Sequence, residues 1–368
     1  MKKAVALIGI LVALLALGAG TWWWLRARSA PVLVGVLTRA SVGSLAGSSR
    51  VDAGTLYNEE HIGSPLRVVT VDDDWEPELT HRAILQGLQR GIRYFVSAHP
   101  SKCATAIMDL FADDSRGLLI VTASTTDQLT GKDDGILRVI PDVTWEAREM
   151  AQWVLTQGAR HTLVVQDTGN LPYTEPFWSA FSAEIQQKCA DCVLSHQALV
   201  LSRFKPADLS PFFEEPAELL LILAGSHQPA IGTVAQLFHS THPKVPILLT
   251  PWAQSTDIFE ASGPALGQAI LPTLYPPRNT DPQMLGYFSR FSQRFGYQPV
   301  TMNVSVQQSL ELLEAALRQG ARSPREVKRY LIDHSPHATS LGEISFDRFG
   351  DSTATLRFVR DIRAEFSP

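Results

Sequence analysis

"RGLLIVTASTTDQLTGKDD", residues 116 to 134, passes in a few positions from an unbroken apolar run to a cluster of hydroxyls, and the fold turns on how that passage is read. Leu118 to Val121 carries no polar interruption, as expected of a short strand buried on both faces. Four hydroxyl side chains follow in the five positions from Thr122 to Thr126. They therefore sit at the carboxyl end of a strand, which is where open α/β sheets hold ligands. Taken alone the stretch reads better as an ordinary turn, because Ser, Thr, Asp and Gly bond locally to turn backbone.

The neighbouring segments repeat the pattern. "VLVGVL", "LRVVTV", "IRYFVS", "HTLVVQD", "LLLILAG", "PILLTPW" and "QAILPTL" read as further strands. They alternate with helix-like segments such as "PELTHRAILQGLQRG", "SKCATAIMDLFADD", "WEAREMAQWVLTQGA", "EPFWSAFSAEIQQK" and "SVQQSLELLEAALRQG". Such alternation predicts parallel sheets with helices on both faces, and there are too many strands for one modest sheet, so two α/β lobes are expected. Linkers are placed near "RVIPD" (138–142) and in the Pro-rich "LPTLYPPRNTDP" (271–282). Polar groups recur after the strands: Ser101, at a predicted helix N-cap, then Ser124 and Thr125, then Asn170 and Tyr173, with Trp252 after "PILLTP". Hydroxyls and unpaired N–H groups at helix starts suit a small carboxylate. One such loop is a turn; four on successive strands suggest a pocket.

With 368 residues, 45% hydrophobic and 19% charged, the composition is globular and long enough for two domains. The net charge of −5, with no basic run beyond the N-terminus, argues against nucleic acid as partner. Ala4 to Leu25 is uncharged over 22 residues, about 33 Å as a helix at ~1.5 Å per residue, and matches a bilayer core of about 30 Å. Trp22 to Trp24 fall at the far interface, followed by Arg26 and Arg28. An uncleaved signal anchor within residues 1–30 is expected, with a cleaved signal peptide, using small residues such as Ala16 and Gly18, as the rival. Both export the rest of the chain.

Catalytic signatures are missing: no G-x-G-x-x-G after a strand, no Walker-type loop, no G-x-S-x-G elbow. His239 and His242 have no carboxylate or third ligand in the sequence around them. Neither enzyme activity, metal nor cofactor is expected. Of three cysteines, Cys189 and Cys192 form "CADC", read as a local disulfide or two inert thiols ahead of redox or metal chemistry.

Between about Val32 and Phe366 the chain resembles the type I periplasmic substrate-binding proteins of the leucine/isoleucine/valine-binding kind. The resemblance rests on "VVTVDDDWEPEL", "QRGIRYFVSAHPSKCATA", "TASTTDQLTGKDDGILRVIPD", "VVQDTGNLPYTEPFWSAF", "FSQRFGYQPV" and "LGEISFDRFGD", in that order. It implies two Rossmann-like lobes joined by three hinge crossovers, with residues 31–141 and 273–337 in lobe one and 142–272 and 338–368 in lobe two. A ligand would be enclosed by hinge closure, as a population shift toward the closed state. Carried over by position, Ser101 and Thr125 donate hydroxyls to a ligand carboxylate, helped by backbone N–H groups of Ala123, Ser124 and Thr125, while Asp142 and Tyr173 reach from the second lobe. Two departures stand out. Ser97, His99 and Pro100 alter the loop before Ser101, and Trp252 stands near the place where amino-acid binders carry an acid for the ligand ammonium. Trp can stack or make a cation–π contact but neutralises a buried ammonium poorly. The expected function is an extracytoplasmic receptor that delivers an amino acid or related carboxylate or amide to an ABC permease. The alternative is a membrane-anchored ligand sensor for a bacterial signalling protein.

Overall fold

The computed structural model describes residues 30–40, 45–225 and 229–366. The expected anchor, residues 4–25, lies outside them. No helix among the described residues is long and apolar enough to cross a membrane.

The first lobe is built on five parallel strands, β1 (Val32–Thr38), β2 (Leu66–Asp72), β3 (Tyr94–Ser97), β4 (Leu118–Val121) and β5 (Ile136–Arg138), in the order β2-β1-β3-β4-β5. The second is built on β6 (His161–Asp167), β7 (Val193–Leu199), β8 (Leu219–Leu223), β9 (Ile247–Leu248), β10 (Ala269–Thr273) and a late strand, Arg357–Val359, which runs antiparallel at the edge beside β10. The central strands β3, β4 and β8 are buried along their whole length, as expected when both faces carry helices. The main helices are α1 (Leu45–Glu60), α2 (Pro77–Gln89), α3 (Ser101–Thr105), α4 (Val143–Thr156), α5 (Leu171–Lys188), α6 (Pro229–Thr241), α7 (Pro282–Phe295), α8 (Asn303–Arg318) and α9 (Pro324–Asp333). Each sheet has a core on both sides.

The chain passes between the lobes three times. After β5 it runs through Val139 to Asp142 into α4; after β10 it returns to α7, which packs Met284, Tyr287 and Phe288 with Leu56 of α1; and it passes a third time between Phe346 and Leu356. Ile344 and Phe346 pack with the first sheet, Leu356 and Val359 with the second.

Two local expectations change. The segment from Ser101 is not one helix: α3 ends at Thr105 and a 3-10 turn follows at Met108–Phe111. Ser101 is also not the N-cap, because Pro100, in extended geometry at φ −58° and ψ 152°, takes that position and no side chain caps it. Cys189 and Cys192 are joined in a disulfide that closes the turn from α5 to β7, so they offer a metal no thiolate.

Candidate functional site

The carboxyl ends of β3 and β4 in one lobe face those of β8 and β9 in the other, and a cavity of about 50 Å³ lies between them. Its wall is Arg50, Trp75, Ala98, His99, Pro100 and Ala123 from the first lobe and hinge, with Gly225, Trp252 and Met302. At roughly 10–15 Å³ for a water-sized group, it holds only a few such groups, so the lobes stand close together. The backbone N–H of Lys102 donates across the gap to Asn170 Oδ1 at 3.2 Å. Larger surface grooves exist, one of about 500 Å³ among Asp113, Asp133, Arg325 and Lys328. That groove mixes both charge signs and lies away from the strand ends, so it is a weaker candidate.

Trp75 reaches the cavity from an unusual turn. Asp74 and Trp75 both adopt left-handed backbone, φ 53° and 57°, which costs on the order of 1–3 kcal/mol per residue for side chains of this kind. The turn is tied at both ends: Asp73 Oδ1 accepts from the Trp75 N–H at 3.2 Å, and the Cys103 thiol donates to the Trp75 carbonyl at 3.0 Å. Burial raises that thiol to about 12, so it stays neutral. The Arg50 guanidinium stacks over the Trp75 ring at 4.6 Å. Burial pulls Arg50 down to about 10, with Tyr275 and Asp73 opposing, and it remains cationic at neutral pH.

His99 is fixed from both sides, Nε2 lying 2.7 Å from Asp73 Oδ2 and Nδ1 2.6 Å from Ser97 Oγ. Three side chains so arranged resemble a hydrolytic triad. Ser97, however, is fully buried at the end of β3 and does not belong to the cavity wall, so its hydroxyl meets no substrate there. The trio instead holds the His99 ring in the wall.

Of the residues expected at the site, Ala123 and Trp252 line the cavity. Ser124 spends its hydroxyl on the His99 carbonyl, 2.6 Å away, and so shapes the loop. Thr125 is buried, its Oγ1 has no partner, and its carbonyl accepts from the Val143 N–H at the first crossover. Ser101 is buried at the first position of α3. Asp142 caps α4, its Oδ1 accepting from the backbone of Thr144 and Trp145 at 2.8 and 2.9 Å. Tyr173 lies behind the wall, where its hydroxyl donates to Glu146 Oε1 at 2.6 Å while Trp252 Nε1 donates to Glu146 Oε2 at 3.1 Å. Arg50, Trp75, Gly225, Met302 and Glu146 went unread. Arg50 stands in "LAGSSRVDAGTLYNEE", which has little helical periodicity, and only the crowding of Asp72 to Trp75 hinted at an unusual turn.

A family model described as periplasmic binding protein matches residues 31–354. No curated protein matches. Among solved structures, a leucine-binding protein from Thermotoga maritima superposes with a TM-score of 0.77 at 17% identity, over 89% of this chain and 97% of that one. A solute-binding protein of an ABC transporter from Rhodopseudomonas palustris, in complex with 3,4-dihydroxybenzoic acid, gives 0.75 at 16%, over 89% and 92%. A branched-chain amino acid transporter substrate-binding protein from Streptococcus pneumoniae, in complex with isoleucine, gives 0.75 at 14%, over 89% and 95%. At such identities these likenesses bear on the fold.

Proposed function

Because the chain belongs to the periplasmic binding protein family, we propose that it is an extracytoplasmic receptor that closes on a small organic acid and hands it to an ABC permease. The observation that carries the ligand class is the cavity wall, which holds one buried guanidinium, three large apolar side chains in Trp75, Trp252 and Met302, and no carboxylate. Arg50 brings a positive charge to the wall, and an anion is favoured opposite it. Ser101 and Thr125 are buried outside that wall, and of the two only the Thr125 hydroxyl, which has no protein partner, supports a place in the clamp.

No carboxylate lines the wall, and of the acids behind it Asp73 is engaged by His99 and Glu146 by Tyr173 and Trp252. A ligand ammonium would therefore enter without a free counter-charge, at a cost of several kcal/mol. This favours a flat or branched apolar acid over an amino acid. The related structures hold ligands of both kinds, and a carboxylate is what those ligands share. A sensor would use the same cleft; the anchor that favoured it lies outside the described residues.

A thermal-shift screen tests the reading by setting benzoates and branched aliphatic acids against their amides and against the matching amino acids. A ligand that binds only the folded state adds about 2.7 kcal/mol of apparent stability at a hundred times its dissociation constant. Acids should raise the midpoint, amides should not, and Arg50→Gln should abolish the response. A midpoint raised by amino acids alone would sink the ammonium-free class, and silence to every acid would sink the acid receptor.

A further inference from the structure

We propose that Glu146 is a positioning residue of this cleft: its carboxyl group holds the Trp252 indole in the cavity wall and, by gaining or losing a proton, changes how an anionic ligand is received there. This rests on the acid-receptor reading for its ligand but not for its chemistry. Glu146 lies in the first turn of α4, and Tyr173, Trp252 and Glu146 itself are all almost wholly buried. The hydrogen bonds to its two oxygens join three separate segments of the second lobe: α4, α5 and the loop after β9. Gly225 stands in the same wall with no room for a side chain, since a Cβ there would lie 2.5 Å from the Tyr173 ring.

The groups that act on Glu146 are Tyr173 from α5, Trp252 from the loop after β9, with Thr250 reaching it through Tyr173, and Asp142 from the start of its own helix. None is a cation. The charged or titratable groups of the cavity itself, Arg50 and His99, stand in the first lobe's part of the wall. Burial raises the Glu146 carboxyl to about 8, against the two hydrogen bonds that favour its ionised form, and Asp142 raises it further. The indole N–H can only donate and so bonds to either form, whereas the tyrosine hydroxyl donates to the carboxylate and can accept from the neutral acid. Deprotonation thus strengthens both bonds and leaves a buried negative charge behind Trp252. For an anionic ligand on the order of 10 Å away at an effective dielectric of about 20, that charge weakens binding roughly tenfold.

Tryptophan fluorescence of the ligand-free full chain, followed from about pH 6 to 10, reads the coupling directly. The wild type should show a transition near pH 8 that vanishes in Glu146→Gln and in Trp252→Phe. Tyr173→Phe should move it upward, because a donor to the ionised form is lost. A wild-type transition that persists in Glu146→Gln or Trp252→Phe overturns the inference. With benzoate as probe, affinity should fall roughly tenfold across the transition in the wild type and stay level in Glu146→Gln; an equal fall in both also overturns it. If benzoate fails to bind at any pH, the ligand reading above is what fails, and the ligand-free transition still decides the role of Glu146.

Discussion

Ser124 and Thr125 are adjacent hydroxyls with opposite duties, and substitution should separate them. Ser124→Ala leaves the buried His99 carbonyl without its 2.6 Å donor and should cost about 1–3 kcal/mol of stability. Thr125→Val removes a hydroxyl that has no protein partner, so urea unfolding should change by less than about 1 kcal/mol, while affinity for a bound acid falls. Equal stability losses would mean that both hydroxyls only build the loop. Glu146 carries a pH dependence whose sign follows from its raised value. Between its ordinary 4.5 and about 8, the folded chain holds a proton that the unfolded chain has released. Its contribution is therefore fully present below about 4.5 and is lost as pH rises through about 8. Chemical denaturation at about pH 5 and pH 8.5 should show the wild type losing stability relative to Glu146→Gln, by an amount on the order of a few kcal/mol. A constant difference would show that Glu146 is ionised throughout.

Between elements, the turn "LTGKDD" acquires its purpose from a residue more than two hundred positions away. Arg138, buried at the end of β5, donates through Nε to Asp351 Oδ1 at 2.8 Å, through Nη1 to the Thr126 carbonyl at 3.0 Å and through Nη2 to Thr130 Oγ1 at 2.8 Å. The Gly131 N–H, on left-handed backbone at φ 68°, donates to the other Asp351 oxygen at 2.7 Å. The hydroxyl loop, the first crossover and the approach to the third are thus tied to one ion pair. Asp351→Ala strands a buried guanidinium and should cost about 3–5 kcal/mol, read as a shift of the denaturant midpoint. A loss below about 1 kcal/mol would show the pair to be solvated. By comparison Asp142→Ala should cost only about 1 kcal/mol, the value of a helix cap.

Across the whole molecule, the proposed closure would depend on small terms acting over the gap between the lobes. The hydrogen bond from the Lys102 N–H to Asn170 Oδ1 joins α3 to the start of α5, and it should contribute about 1 kcal/mol to the closed state. Asn170→Ala should therefore enlarge the mean radius seen by small-angle X-ray scattering without ligand, and weaken a closing ligand by about 5-fold. An unchanged radius and affinity would place the hinge equilibrium elsewhere. We propose that the third crossover lies at residues 352–356 rather than after His337, because Ile344 and Phe346 pack with the first sheet and Leu356 with the second.

The two-lobed α/β fold was legible in the chain because it depends on local pattern: apolar runs such as "LLIVTA" and "LLLILAG" between amphipathic segments, with Pro-rich links. Strands with weak alternation were harder to read. β5 is three residues long, and the late strand Arg357–Val359 exists only as a partner for β10. Which hydroxyl faces a ligand and which holds a loop could not be read from "TASTT", since Ser124 and Thr125 differ only in what the neighbouring loop at His99 presents to them. Nor does the chain order place Arg50 over Trp75, or Glu146 beneath Trp252, over a hundred residues away. Periodicity is a property of a segment and survives in one dimension. The cleft and its charge depend on which segments the packed sheets bring face to face, and that the tertiary structure alone decides.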